Sequence, residues 1–537
     1  MDRNSAVFVG GFLFLCALLF YYCSVLRIDL KNTPYLDLGP YPDAVEYFAQ
    51  ARSISETGRP HIRIGYDILP SRYPPGYPAL MVPALKLLPE AKAVLAPFRT
   101  NQAIGLLLLC ATFATFAYLG KPIFGGCATL LLATLPAFVT YCRSSMSEIG
   151  ASAFAVTAFV FVYLGLKRQH RWQIYVAAVL LGLSLNIRTQ LVFFGPVLIA
   201  MALFPVDRSR SRWFLHCAGV LLVFAIAASP VLILNALQFG SPTKTGYDFW
   251  VPSAYQSVSP FSFHNMPKHA RMLWADFALR PREFGVANLF GTGAYFTPAF
   301  VVLIACGFVL LRWTRFTFAA ILAGVSFFAI TTTYSFVDAR FYIPLMILLI
   351  SVASLPAEWA ICQILRGRRV LPAACLVAFF CLACAGYPSQ SGYPPERGHW
   401  QARDAVQLDR LRGASPAFAA EKAFARIVGR RPAVVLSDID PVYLNALLPA
   451  AIAAAPLDGS HNYQYSAAWR YGKEEAKAIV EGALARDLPV YALFRSVPEL
   501  ESSRARLPTL SGHQWNPLPD SGESAVILTL APTMPQE

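Results

Sequence analysis

Four ionisable residues stand at the mouths of strongly apolar segments: Asp43 in YPDAVEYFAQARSISETG, Glu148 in YCRSSMSEIGASAF, Arg188 in LSLNIRTQLVFF and Arg340 in YSFVDARFYIP. A charge beside or within such a segment is costly, so by default it marks function. Two carboxylates and two guanidinium groups offer a particular chemistry. A carboxylate takes a proton from a hydroxyl as general base. A guanidinium holds phosphate oxygens through a planar, permanently charged fork, and the same cation stabilises a phosphate as it leaves. Each residue also has a plainer role open to it. Asp43 can cap the helix that follows it, Glu148 can pair with Arg143 at the surface, Arg188 and Arg340 can extend to headgroups, and Asp338 can simply partner Arg340.

The elements that must position these groups are membrane helices. Of the 537 residues 56% are hydrophobic and only 14% charged, and the mean hydropathy is +0.47, too apolar for an ordinary soluble domain. With roughly 20 apolar residues needed per crossing, the sequence offers about eleven spans. They fall near 6–26, 101–120, 123–141, 149–166, 173–187, 190–205, 213–237, 296–311, 316–334, 341–364 and 370–387, the fifth and sixth being short enough to form one broken helix. The N-terminal span lacks a small-residue cleavage site and reads as an uncleaved signal anchor. Basic residues orient the rest, because cytoplasmic loops are enriched in Lys and Arg. With the N-terminus inside, Lys121, KRQHR (167–171), RSRSR (208–212), RWTR (312–315) and RGRR (366–369) all fall in inside loops. The C-terminal part, 388–537, then lies on the outer, periplasmic or extracytoplasmic face of a multi-pass inner (cell) membrane protein.

Two longer outer segments interrupt the bundle, 27–100 and 238–295, so that 1–387 forms one transmembrane module. Within the first, residues 74–89 are apolar but short and proline-rich, and read as a helix lying in the interface. The second mixes Trp, Tyr, Phe and His with Arg and Lys, as suits a segment at the headgroups. In the tail, RPAVVLSDID, LPVYALFRS and SAVILTLAP read as strands and EEAKAIVEGALAR as a helix, which makes a small α/β domain. The fold class is therefore a mainly α membrane protein with a C-terminal α/β domain.

Several partners are excluded or weakened. The net charge of +14 is spread through the topology loops and forms no nucleic-acid surface. The 11 cysteines lie in or beside apolar segments and imply no disulfide framework; the Cys381/Cys384 pair has redox spacing but no nearby His. His264 and His269 lack a third ligand for a metal site. Asp43 and Glu148 are hard oxygen donors suited to a divalent metal ion, though nothing in the sequence demands one. No phosphate-cradling glycine loop is present, which argues against a nucleotide donor. All four charges at span mouths fall on the outer side, where they are expected to converge on one cavity. A lipid-linked phosphosugar fits such a cavity, since it brings an apolar tail and a phosphate together.

YPDAVEYFAQARSISETG, RYPPGYPALMVPALKLLP, RSSMSEIGASAF, GLSLNIRTQLVFFGPVL and RFYIPLMILL together resemble the multi-spanning transferases of the protein mannosyltransferase and aminoarabinose transferase superfamily. The resemblance covers about residues 5–387 and is carried above all by the acidic first outer loop followed by PPGYP. It implies the C-type glycosyltransferase fold, a polyprenyl-phosphate-linked sugar donor and inversion at the anomeric carbon. Asp43 would be the catalytic carboxylate, Glu148 a second site residue for acceptor or metal, and Arg188 and Arg340 the holders of the donor phosphate. Where aminoarabinose transferases carry a Lys just before the loop proline, this chain has Tyr73, so Arg72 or Arg63 would rebuild the clamp. Protein mannosyltransferases pair two acids in the first loop, whereas Asp43 is followed by Ala44; a lipid or cell-envelope glycan such as lipopolysaccharide is the acceptor expected. Asp43 would open a short interfacial helix with Glu46, a residue more often solvated than catalytic, and Tyr47 on the same stripe, Glu46, Tyr47 and Tyr73 lining the cavity. A transporter or flippase of a lipid-linked sugar would use the same residues. The polar clusters SDIDPVY (437–443) and DGSHNYQY (458–465) offer acceptor contacts or ordinary solvated loops.

Overall fold

The computed structural model describes residues 3–27, 43–204, 210–250, 261–277, 297–385, 416–458, 472–518 and 525–533. In chain order the helices are α1 (Arg3–Tyr21), α2 (Asp43–Thr57), α3 (Gly76–Leu87), α4 (Ala96–Tyr118), α5 (Pro122–Thr134), α6 (Pro136–Cys142), α7 (Glu148–Arg168), α8 (Arg171–Ile187), α9 (Val197–Ala202), α10 (Arg210–Phe239), α11 (Gly246–Trp250), α12 (Met266–Phe277), α13 (Pro298–Leu310), α14 (Arg315–Thr332), α15 (Ile343–Leu365), α16 (Val370–Ala385), α17 (Pro416–Val428), α18 (Pro441–Leu447), α19 (Lys473–Leu484) and α20 (Val497–Ser503). The strands are β1 (Ile62–Ile64), β2 (Asp67–Leu69), β3 (Ala433–Ser437), β4 (Ile452–Pro456), β5 (Val490–Phe494), β6 (His513–Pro517) and β7 (Val526–Pro532).

Two compact units emerge. One comprises Met1–Leu30, Phe98–Val231 and Pro260–Leu411, the other Lys31–Pro97, Leu232–Ser259 and Arg412–Glu537. A boundary at 387 and 388 alone would leave the first outer segment with the bundle; the compact division groups that segment with the tail.

The chain is a multi-pass membrane protein. Among the described residues six helical stretches are long and apolar enough to cross a bilayer, Arg3–Leu26, Lys92–Tyr118, Glu148–Arg168, Arg210–Phe239, Arg315–Thr332 and Arg340–Leu365, and four shorter apolar helices accompany them. Between lipid-soluble helices the hydrophobic effect gives little drive, so close packing of small residues takes over. The α1–α5 contact shows this: a Cβ on Gly10 would lie 2.3 Å from the Pro122 carbonyl oxygen, and one on Gly126 would lie 2.6 Å from the Gly10 carbonyl oxygen. Leucine and phenylalanine on the rest of α1, such as Phe8, Phe12 and Leu15, stay exposed, as a lipid-facing surface requires.

Two expected spans are corrected. The stretch 190–205 is no continuous helix: Thr189–Phe194 is a 3₁₀ turn and α9 spans only Val197–Ala202, because Gly195 and Pro196 interrupt the ladder between them. The stretch 123–141 breaks at Pro136 into α5 and α6 for the same reason.

In the second unit a five-stranded sheet has the order β4-β3-β5-β7-β6. Strands β4, β3 and β5 run parallel while β7 and β6 are antiparallel. The parallel strands are the most buried, β3 and β4 at every position, as expected of strands covered on both faces. The outer segment adds the small β1–β2 hairpin and the helix α3, which occupies the stretch read as interfacial. DGSHNYQY lies, after Asp458, outside the described residues, as do most of 238–295 beyond α11 and α12, and the stretch 386–415.

Candidate active site

Helices α7 and α8 form an antiparallel hairpin, and its geometry sets the first polar cluster. Of 21 and 17 residues, the two are of similar length at 1.5 Å per residue, so the start of α7 and the end of α8 meet at the same end. Glu148 opens α7; Arg188 ends α8. The Arg188 Nη1 donates to Glu148 Oε1 at 2.5 Å, and Arg340 Nε lies 3.8 Å from the same oxygen. Glu148 is only 1% exposed. Arg188 also donates to Ser147 Oγ at 3.3 Å and to Gln190 Oε1 at 3.2 Å. Asp338 lies 3.5 Å from Arg340 Nε and caps the 3₁₀ turn Ala339–Tyr342 by accepting from the Arg340 N–H at 2.9 Å. The Phe341 ring lies beneath both guanidinium groups, 5.5 Å from Arg188 Cζ and 5.1 Å from Arg340 Cζ, a cation–π arrangement that strengthens as water is removed. Glu148, Arg188 and Arg340 are thus brought together as expected. The plainer roles give way in part: both arginines turn inward on Glu148, while the Asp338–Arg340 partnership is real. Glu148 Oε2 is buried and has no hydrogen-bond partner among the described residues.

Two residues not foreseen as site residues fix this cluster. Helix α10 carries Pro230 inside it, which disturbs the backbone ladder. Asn186, in the last turn of α8, fills the gap: its Nδ2 donates to the Ala227 carbonyl at 2.8 Å and its Oδ1 accepts from the Val231 N–H at 2.8 Å. That staple, two residues before Arg188, sets where α8 ends. His269 is wholly buried, with Nε2 2.9 Å from the Tyr334 carbonyl and Nδ1 2.9 Å from the Tyr342 hydroxyl. With Nε2–H donating to the carbonyl, Nδ1 accepts from Tyr342, so the histidine supports the turn that carries Arg340. An asparagine beside a hairpin end and a distant proline were the only sequence signals.

The second unit holds the other cluster. Helix α2 carries Asp43, Glu46, Tyr47 and Gln50 on the face toward the 71–77 segment. The Tyr73 hydroxyl donates to Asp43 Oδ1. Burial, and then the neighbouring Asp43 carboxylate, push the Tyr73 phenol well above its ordinary value, so it stays protonated and remains a donor. Glu46 is fully buried: Oε1 accepts from Arg72 Nε at 2.6 Å, and Oε2 accepts from Ser71 Oγ at 2.7 Å and the Arg72 N–H at 2.9 Å. Gln50 Nε2 donates to Ser71 Oγ at 2.8 Å. The expectation of a solvated Glu46 is therefore corrected: it locks the loop to α2, and Arg72 commits its Nε to that lock. Every residue from Asp43 to Ala51 is buried, so the first half of α2 is covered all round, the helix packing on α3 and on α18, where an interfacial stripe was expected.

Arg63 stands elsewhere. Its Nε donates to Asn445 Oδ1 at 3.2 Å, Nη1 to the Ala450 carbonyl at 2.6 Å and Nη2 to the Ile452 carbonyl at 2.7 Å. All three nitrogens are engaged by residues 445–452 of the C-terminal part, in α18, the turn after it and the start of β4, which revises its expected role as a phosphate ligand.

Around Asp43 the tyrosines pack in a chain: Tyr47 on Tyr73 at 4.8 Å, Tyr47 on Tyr77 at 5.1 Å and Tyr73 on Tyr247 at 5.7 Å between ring centroids. Tyr247 comes from α11 and was missed, its aromatic run GYDFW being the available signal. Helix α11 buttresses the loop: Trp250 Nε1 donates to the Pro70 carbonyl at 2.8 Å, and a Cβ on Gly246 would lie 2.3 Å from the Ser71 carbonyl oxygen and 2.4 Å from Arg72 Cα. Gly246→Val should therefore shift the loop that holds Tyr73 against Asp43. Hydrogen exchange over residues 71–77 is expected to rise in that variant, with expression and membrane insertion unchanged.

Among the described residues no group of three or more His, Cys, Asp or Glu side chains is gathered as a metal ion would require, and all eleven cysteines are free.

No protein-family model matches the sequence, and no curated protein sequence matches it significantly. Among solved structures, the chain is similar to the ArnT of Cupriavidus metallidurans bound to undecaprenyl phosphate, with 97% of each chain covered, a TM-score of 0.58 and 13% identity. It is also similar to the apo state of that protein, with 97% of each chain covered, a TM-score of 0.56 and 15% identity. An oligosaccharyltransferase of Archaeoglobus fulgidus is matched over 89% of this chain and 67% of that one, at a TM-score of 0.49 and 12% identity. The two ArnT structures show the fold: this chain shares the architecture of that protein.

Proposed function

We propose that the protein is an inverting glycosyltransferase that moves a sugar from a polyprenyl-phosphate donor to a hydroxyl of a lipid or cell-envelope glycan on the outer face of the membrane. The observation that carries the reading is the pair of arginines, Arg188 and Arg340, held by Glu148 over one aromatic ring, in a fold that in ArnT takes undecaprenyl phosphate. In the reaction the acceptor oxygen attacks the anomeric carbon from the face opposite the phosphate. The new C–O bond forms as the anomeric C–O bond to phosphate breaks, and the electron pair leaves on the phosphate. Asp43 takes the hydroxyl proton. Arg188 and Arg340 hold the departing phosphate, whose charge grows in the transition state, and Glu148 Oε2 accepts a hydrogen bond from the acceptor. Tyr73, where the resembling transferases carry a Lys, serves Asp43 as a neutral donor; Tyr47 and Arg72 support it. The basic loops support a topology with the N-terminus in the cytoplasm and the tail outside.

The test is direct. Purified protein in lipid is given labelled polyprenyl-phosphate sugars and candidate acceptors such as lipid A or glycan fragments. A labelled acceptor with inverted anomeric configuration supports the transferase. Movement of intact donor across proteoliposomes with no glycosidic product would assign the fold to transport instead.

A further inference from the structure

The β4 strand is an edge of the C-terminal sheet, and an unpaired edge presents backbone groups that need partners. Here the partners come from the loop that follows the Asp43 helix. The Gly65 N–H donates to the Ala454 carbonyl at 2.7 Å, and Arg63 takes the Ala450 and Ile452 carbonyls at 2.6 and 2.7 Å. Asn445 completes the joint: its Oδ1 accepts from Arg63 Nε at 3.2 Å and from the Ala454 N–H at 3.0 Å, while its Nδ2 donates to the Ala454 carbonyl at 2.7 Å. On α2 itself, Arg52 Nη1 donates to the Ala446 carbonyl of α18 at 3.0 Å. The β1–β2 hairpin and α2 are thus both fastened to the C-terminal α/β domain by the same short stretch, residues 445–454.

We propose that the C-terminal α/β domain is the positioning element for Asp43, acting through a latch in which Arg63 and Asn445 fasten the β1–β2 hairpin to the β4 edge and Arg52 fastens α2 to α18. The inference rests on the reading of Asp43 as the base and gives the tail a role in the reaction: it holds the helix that carries the base. Arg63 and Asn445 are positioning residues, since neither touches the reacting atoms. Arg63 suits this task where Lys would not, because a planar fork can meet two carbonyls and an amide oxygen at once.

Asn445→Ala, Arg63→Ala and the double variant provide the test in full-length protein. Each single variant is expected to lower kcat by between about tenfold and about a hundredfold, as a displaced catalytic group does, with the KM for donor unchanged. The double variant is expected to be no worse than either single one, since one latch is broken once. In the absence of substrate, hydrogen exchange over residues 43–57 and 62–69 should rise in both single variants. Unchanged exchange in those segments overturns the latch, and so does a raised donor KM in Arg63→Ala beside wild-type kinetics in Asn445→Ala, which would return Arg63 to the phosphate. Raised exchange in a protein that makes no glycosidic bond would leave the latch standing and remove only the transferase reading.

Discussion

Asp43→Asn should lower kcat by about 10²- to 10⁴-fold, the range by which a positioned general base accelerates proton transfer. The substitution keeps the shape of the side chain and leaves an amide oxygen to accept from the Tyr73 hydroxyl, so the contact between α2 and the 71–77 loop survives. The neighbouring lock is untouched: Glu46 still holds Ser71 and Arg72. Expression, thermal stability and donor affinity are therefore expected to stay at wild-type values while product formation falls. The measurement is single-turnover transfer from labelled donor, with donor binding read separately on the same preparation. A variant that binds and turns over donor like the wild type would remove Asp43 from the chemistry altogether. Glu46→Gln is the useful contrast, because it strips charge from a fully buried ion pair with Arg72 and should damage folding before it damages chemistry.

The legible part of this fold was its periodicity and its cost accounting. Long apolar runs announced α1, α4, α7, α8, α10, α14 and α15, and the charges at the ends of α7, α8 and α15, Glu148, Arg188 and Arg340, were conspicuous because burying them is expensive. The tail strands β3, β5 and β7 were visible as β-branched and aromatic runs. β4 was not, since Ile452–Pro456 is mostly alanine, a residue with weak strand preference; it is a strand because β3 pairs with it. The sixth stretch is broken for a local reason, Gly195 and Pro196, that a hydropathy window averages away.

The site residues divided along the same line. Residue type showed which groups could act, but their partners depended on tertiary contacts far apart in sequence. Arg63 looked like a phosphate ligand because it is basic and near the loop proline, yet the sheet edge it serves lies nearly four hundred residues downstream. Asn186 carried no signal of its own in the sequence, and its role emerges only with the break at Pro230. Glu46 looked like a surface acid because helix periodicity cannot report that Ser71 and Arg72 close over its face.

Glu148→Ala carries the second large effect, and it falls on stability as well as chemistry. Glu148 Oε1 faces both Arg188 and Arg340 in an almost fully buried setting. Removing the acid leaves two guanidinium groups over the same Phe341 ring with one fewer counter-charge, and breaking such a buried pair costs about 3–5 kcal/mol. Denaturation in detergent micelles should show that loss, and transfer should fall with it. A charge-balanced double variant separates the two consequences. Glu148→Gln with Arg188→Gln removes one charge of each sign, so stability should return to within about 1–2 kcal/mol of wild type, the remainder being the hydrogen bonds made to charged groups. Transfer should not return under the proposed mechanism, in which the phosphate would lose one of two arginines and the acceptor the carboxylate oxygen Oε2. If the double variant recovers stability and turnover together, Glu148 and Arg188 are structural partners only, and the phosphate must be held by other residues.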